Sequence, residues 1–310
     1  MGTDQRSVDQ PPKRLSVVLD TDIGSDVDDA MALAVLLGSD EVDLLGVSTV
    51  YGDTLLRARL TSRYAALAGR RLSVHAGLTT PASGREVWWA GHEGSLHDQL
   101  DDEPVASRDG VAFLIETVTA LPGQVHVIAI GPLTNIAEAI RTDPRFVRDA
   151  AGLWIMGGAF DPGAPPEHNI RSDDHAARIV FDSGIPIVIT GLECTRQVQI
   201  AAAELARLAA AGPLGYALAR DIEQWWAFWQ TEWNVPHDPV TVLSVLRPDL
   251  FDLTPPGRVT VHPAVDASDE PGRTSFRPDA GGTVRVVSGL RAPAVAQLII
   301  DRIVAAGLSG

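Results

Sequence analysis

One lysine, Lys13, and one cysteine, Cys194, are all that this chain of 310 residues holds of either type. Every mechanism that needs a lysine beyond position 13 is therefore excluded. A single cysteine forms no intramolecular disulfide. No apolar run approaches the roughly 20 residues needed to span a bilayer, so no membrane partner is expected. Positive charge is also scarce, and a net charge of -15 leaves nothing to neutralise a phosphate backbone or release its counterions. No nucleic-acid partner is expected; a small or uncharged substrate is. Residues 1–12 are polar, end in Pro11 and Pro12, and lack the apolar centre of a secretion signal. The reading is of a flexible tail over 1–13 on a cytoplasmic protein.

Apolar material is plentiful, with 45% hydrophobic and 21% charged residues, which suits a sizeable core. Short β-branched runs alternate with longer stretches of helix formers. Strands are expected over 15–19, 42–50, 125–130, 152–156 and 185–190, and helices over 29–37, 55–68, 111–120, 134–140, 174–182, 201–211, 213–231 and 292–306. Segments 258–262 and 283–287 alternate as exposed strands do. Such βαβα order predicts the α/β class: an open, mostly parallel, mixed Rossmann-like sheet with helices on both faces. Residues 14–310 read as one catalytic domain, since α/β enzymes of this length often build a single sheet. Ligands of such sheets bind where loops leave the carboxyl ends of strands. The loops there are 20–29, 51–54, 131–135 and 156–158.

The first of these loops is the most informative. Asp20-Thr21-Asp22-Ile23-Gly24-Ser25-Asp26-Val27-Asp28-Asp29 places five carboxylates within ten residues. Held close they repel, so the loop needs a cation or a dense set of donors. Oxygen-only ligation without a cysteine or histidine cluster favours Ca²⁺ or Mg²⁺ over zinc. The following helix also turns its positive end toward these charges. The spacing does not match an EF-hand loop. A haloacid-dehalogenase-type phosphatase shares the Asp-x-Asp start but requires a later lysine, and so does a Walker-type phosphate loop; neither has one here.

Residues 20–33 resemble the signature of the inosine-uridine preferring nucleoside hydrolases. Segments 46–52, 129–137, 155–159, Glu167-His168-Asn169 and His237-Asp238-Pro239 resemble further family segments in family order, so the likeness runs from about residue 15 to 306. The resemblance implies the nucleoside hydrolase fold and hydrolysis of the N-glycosidic bond of a ribonucleoside, releasing base and ribose, in purine or pyrimidine salvage. It implies a Ca²⁺ cofactor held by Asp22, Asp29, the backbone carbonyl of Ile130 and Asp238, with ribose hydroxyls and one water filling the six to eight positions of the ion. Asp22 is implied as general base on the metal-bound water. Asp28, Glu167, Asn169 and Asp238 would grip the ribose, with Met156 beneath it. A homodimer or homotetramer is implied as well.

His237, next to a metal ligand, is the candidate for protonating the leaving base. His92 lies on a segment resembling the base side of the family site. Of Trp225, Trp226, Trp229 and Trp233, at least half are expected to pack as core, and one of them, or Trp88 or Trp89, to stack on the base. Cys194 reads as a small buried residue. The chain departs from the family pattern in three places. Ser25-Asp26-Val27 is inserted between Gly24 and the Asp28-Asp29 pair, leaving Asp26 without a role. Asp53 stands where relatives carry asparagine. The segment between Met156 and Glu167 is short, so that Asp161 stands in for an asparagine at the 5′ end of the ribose. These departures keep a second reading open, a metal-dependent protein that binds a nucleoside or ribosyl compound without cutting it.

Overall fold

Alternation along the first strand, β1 (Leu15–Thr21), shows how the molecule is layered. Val17 and Leu19 enter one apolar cluster while Val18 enters a second, because successive side chains of a strand point to opposite faces. The structure, a computed structural model, describes residues 14–264 and 270–308. The expected tail over 1–13 lies outside them.

In chain order, β2 (Val42–Thr49), β3 (Val74–Ala76), β4 (Val125–Ala129), β5 (Gly152–Met156) and β6 (Ile187–Thr190) follow, with the short β7 (Ile200–Ala201) and β8 (Trp233–Asn234). Then come β9 (Phe251–Leu253), β10 (Gly257–His262), β11 (Arg273–Pro278) and β12 (Val284–Leu290). Among the described residues ten of these form one sheet in the order β11-β10-β12-β6-β5-β4-β1-β2-β3, with β9 on β12, while β7 and β8 pair separately. Neighbours from β12 to β3 are parallel, and β9, β10 and β11 add antiparallel pairs at one end. This is the open, mixed α/β sheet that the alternating pattern predicts.

One core lies beneath helices Asp28–Leu37, His237–Leu246 and Ala292–Leu308, the other beneath Gly110–Ala120, Thr134–Thr142 and Asp174–Phe181. Helix Asp28–Leu37 is buried along its whole length. Truncating one of its leucines to alanine costs about 2–5 kcal/mol. Among the described residues no helix is long and apolar enough to cross a membrane.

Two elements differ from the sequence expectation in ways that bear on the site. Helix His237–Leu246 was not foreseen, because Val240, Thr241, Val242 and Val245 are β-branched and Pro239 reads as a breaker. Pro239 falls in the first turn, where a missing N–H costs nothing. Packing against helix Asp28–Leu37 then outweighs propensity. The five-residue helix His168–Ser172 was also unforeseen; Glu167 caps it, accepting hydrogen bonds from the N–H groups of Asn169 and Ile170.

Candidate active site

Parallel strands bring their carboxyl ends to one edge, and the loops leaving β1, β2, β4, β5 and β6 converge there on a cavity of about 430 Å³. Its floor is acidic. Asp28, Asp29 and Asp238, all buried, place carboxylate oxygens within 4.8 Å of one another. Asp22 and Ile130 line the same cavity. Thr21 donates its hydroxyl to Asp29, and the N–H of Asp238 donates to Asp28 at 3.3 Å.

Burial, followed by the charges of neighbouring aspartates, pushes Asp28, Asp29 and Asp238 well above the usual carboxylate range. Burial raises Asp22 too, opposed by the charges of Arg57 and His168. The few donors here, with the charge of Arg57, do not outweigh the burial of so many carboxylates, whose values stay raised. An all-oxygen donor set of this kind fits a hard divalent cation such as Ca²⁺. The carbonyl of Ile130 accepts from Asn169 Nδ2 at 2.8 Å and keeps a second lone pair for an ion.

The loop that carries Asp22 is held by a residue the sequence did not single out. Arg57, 1% exposed, donates from Nη1 to the carbonyls of Asp22 and Ile23 and from Nε to the carbonyl of Tyr51 at 2.7 Å. Trp89 covers its guanidinium, 4.9 Å from the ring centre. Gly131 makes room on the other side, since a Cβ there would meet Asp22 Oδ1 at 2.7 Å. Below the floor, Asp20 is fully buried and accepts at Oδ1 from Ser48 Oγ at 2.6 Å and Asn135 Nδ2 at 2.7 Å; burial pushes it up to about 7. Asp20 does not line the cavity.

The inserted residues of the signature loop are clasped from outside. Ser25 donates its hydroxyl to Glu93 at 2.7 Å, and its carbonyl meets His92 Nε2 at 2.9 Å. Asp26 lines the cavity, and burial pushes it up to about 7. His92 stands outside the cavity lining, edge-on to Trp225 and Phe228.

Met156 forms part of the wall at the end of β5. Glu167 lines the cavity but uses its oxygens on the N–H groups of Asn169, Ile170 and Gly158, at 2.7, 3.0 and 3.1 Å. His237 lines the cavity too; its Nδ1 is 2.7 Å from Thr195 Oγ1. Burial and the nearby positive charge of Arg196 lower it to about 4.

Three tryptophans, Trp88, Trp225 and Trp229, line the mouth. Trp226 belongs to the core and donates its Nε1–H to Asn234 at 3.0 Å. Asp53 is exposed and caps helix Thr54–Leu67, accepting from the N–H of Leu56 at 3.0 Å. Asp161 is absent from the lining as well. Cys194 is buried, as expected.

Besides Arg57, sequence reasoning missed His168 and Arg196, both in the wall. His168 sits edge-on to Tyr51 and Trp88, with ring centres 6.0 and 5.7 Å away. Its place between two candidate residues, Glu167 and Asn169, was the available signal. Arg196 lies in no recognised segment and offered none.

A floor of buried carboxylates under an aromatic mouth suits a small ligand, and the comparisons say of which kind. The chain belongs to the inosine-uridine preferring nucleoside hydrolase family, whose profile matches residues 17–297. A probable uridine nucleosidase 2 of Arabidopsis thaliana is 31% identical over 94% of this chain and 98% of its own length. The pyrimidine-specific ribonucleoside hydrolase RihB of Escherichia coli is 30% identical over 68% of this chain and 70% of its own. Among solved structures, a plant nucleoside hydrolase superposes with a TM-score of 0.83 at 28% identity, over 94% of this chain and 99% of that one. The purine-preferring ribonucleoside hydrolase of Gardnerella vaginalis gives 0.84 at 25% identity, over 95% and 100%. The protein is thus a ribohydrolase enzyme of that family, and hydrolysis takes precedence over the non-catalytic reading.

Proposed function

We propose that this enzyme hydrolyses the N-glycosidic bond of ribonucleosides in a calcium-dependent reaction, with Asp22 as the base that takes a proton from the attacking water. The observation that carries the reading is the floor of buried carboxylates, with Asp22 beside it, at the bottom of a cavity sized for a small ligand. Asp22, Asp29, Asp238 and the carbonyl of Ile130 would hold the ion. When bound, Ca²⁺ supplies the positive charge that orients the sugar diol and eases deprotonation of water.

The chain's own groups do the rest. Asp28 and Asp238 face the ribose hydroxyls. Asn169, fixed by its bond to the Ile130 carbonyl, and Glu167 hold the sugar from the β5 side, over Met156. Negative charge on these groups stabilises a sugar ring that becomes an oxocarbenium-like cation as the bond breaks. Trp88, Trp225 and Trp229 offer faces on which a base stacks. His237, neutral near pH 7 given its lowered value, presents the departing base with a hydrogen-bond donor. The relatives named for uridine and pyrimidines make uridine the first substrate to try.

The decisive assay is release of reducing sugar from uridine, cytidine and inosine with calcium present, repeated after chelation. Turnover that disappears with chelator and returns with calcium is the expected result. Absence of free ribose from all three nucleosides with calcium supplied would overturn the reading.

A further inference from the structure

Charges of both signs line the cavity. Its floor carries Asp28, Asp29 and Asp238, while Arg196 stands beside His237 in the wall. Among the described residues no hydrogen bond or ion pair engages the Arg196 guanidinium. The other arginine of the wall, Arg171, faces Glu270 at 3.4 Å. Glu193, three residues earlier, accepts from the N–H of Phe160 at 3.2 Å and feels the Arg196 charge without forming an ion pair with it.

The base of the Arg196 side chain is well fixed. Its N–H bonds the carbonyl of Leu192 at 3.1 Å, and Thr195, fully buried just before it, holds His237 Nδ1 at 2.7 Å. Arg196 thus follows directly on the residue that holds His237, and both line the cavity.

Bond cleavage in a ribonucleoside separates charge. The electron pair of the C1′–N bond leaves with the base, and the sugar becomes cationic. In a pyrimidine joined through N1 that pair spreads onto O2 and O4. The water oxygen then bonds to C1′, its proton goes to Asp22, and the base anion takes a proton from solvent. A guanidinium has five N–H donors and does not give up its proton, so it suits the task of holding an anion rather than protonating one. Close to the anomeric carbon such a cation would oppose the reaction; beside the base it promotes it.

We propose, resting on the nucleoside-hydrolase reading above, that Arg196 is a catalytic residue that hydrogen-bonds a carbonyl oxygen of the departing base and holds the negative charge that builds there. Together with His237 it forms a two-donor leaving-group site, and the preferred substrate class is a ribonucleoside whose base carries a carbonyl next to the glycosidic nitrogen.

The test compares two leaving groups in the presence of calcium: uridine, whose base departs poorly, and p-nitrophenyl β-D-ribofuranoside, whose phenolate departs easily. Removing one pre-set donor to a developing oxyanion costs about 10²- to 10³-fold. Arg196→Gln is expected to lose that much kcat/KM on uridine, mostly in kcat, and less than about 10-fold on the phenyl riboside. Arg196→Lys, which keeps the charge without the fork, recovers part of the loss on uridine. Equal losses on both substrates would show a merely structural role and overturn the proposal. An unchanged rate on uridine overturns it too. A wild-type protein that cleaves neither substrate overturns the hydrolase reading and this one with it, whereas wild-type turnover with an unaltered substrate ratio in the variants overturns this one alone.

Discussion

The floor and the mouth of the cavity are built on opposite terms. On the floor, Asp22, Asp28, Asp29 and Asp238 are at most 9% exposed and anchored to strand ends and helix starts. At the mouth, Trp88 and Trp229 are 39% and 55% exposed and lie on a long loop and a helix end. The floor is rigid, costly to assemble and intolerant of change, because each carboxylate there lacks water to solvate it. The mouth contributes little to folding and is free to vary with the ligand. Rigid chemistry below and adaptable recognition above would let one fold serve different bases, and relatives are named for pyrimidines and for purines alike.

This contrast can be broken at its strongest point first. Asp22→Asn keeps the shape of the floor and removes the proposed base, so turnover on uridine is expected to fall by about 10²- to 10⁴-fold with circular dichroism unchanged. A near-native rate would remove Asp22 from the chemistry. Arg57→Met comes next. It leaves three buried carbonyls without their donor and is expected to cost about 3–5 kcal/mol in denaturant unfolding, with activity lost alongside. Stability within error of wild type would mean the loop does not depend on this clamp.

The floor also predicts how the cation and pH trade against one another. Asp28, Asp29 and Asp238 sit above their ordinary range in the folded chain, and Asp26 sits at about 7. The folded state therefore binds more protons than the unfolded one between the ordinary carboxylate value and these raised ones, and stability falls as pH rises through that window. Thermal unfolding of the metal-free protein should show this decline from about pH 4 to about pH 7. Calcium should reverse it, adding about 2.7 kcal/mol at a concentration a hundredfold above its Kd. A flat profile, unaffected by calcium, would mean that the carboxylates bind no ion.

The smallest effect belongs to the mouth. Trp229→Ala should change stability by less than about 0.5 kcal/mol. It should raise KM for uridine about fivefold, the worth of roughly 1 kcal/mol of stacking. A large loss of stability would place Trp229 with the floor instead.

What the sequence disclosed follows the same division. The strand, acidic loop and helix over 15–37 were legible because a β-branched run, clustered acids and helix formers each leave a local pattern. The alternating sheet was legible for the same reason. Helix His237–Leu246 was not, since its propensity is that of a strand and its conformation comes from packing. Arg57 was hidden because nothing local separates a buried clamp from the other arginines of helix Thr54–Leu67, Arg59 and Arg63, which are exposed enough to pair with Asp101 and Glu103. The tryptophans were visible as a set, but whether Trp225 or Trp226 meets the ligand depends on the roll of helix Gly212–Trp229 against the core.

The Arg57 clamp and the Asp238 contact also differ in reach along the chain. Arg57 engages partners 6, 34 and 35 residues away, whereas Asp238 meets Asp28 across 210. Contacts of short separation form readily during folding and long ones late. Asp22 and Asp29 are therefore in place once the first βαβ unit has closed, the Ile130 carbonyl follows with β4, and Asp238 arrives only with the last third of the polypeptide. The proposed ion site would then serve as a checkpoint on completion: a nascent or clipped chain that lacks Asp238 would offer carboxylates but no full cage.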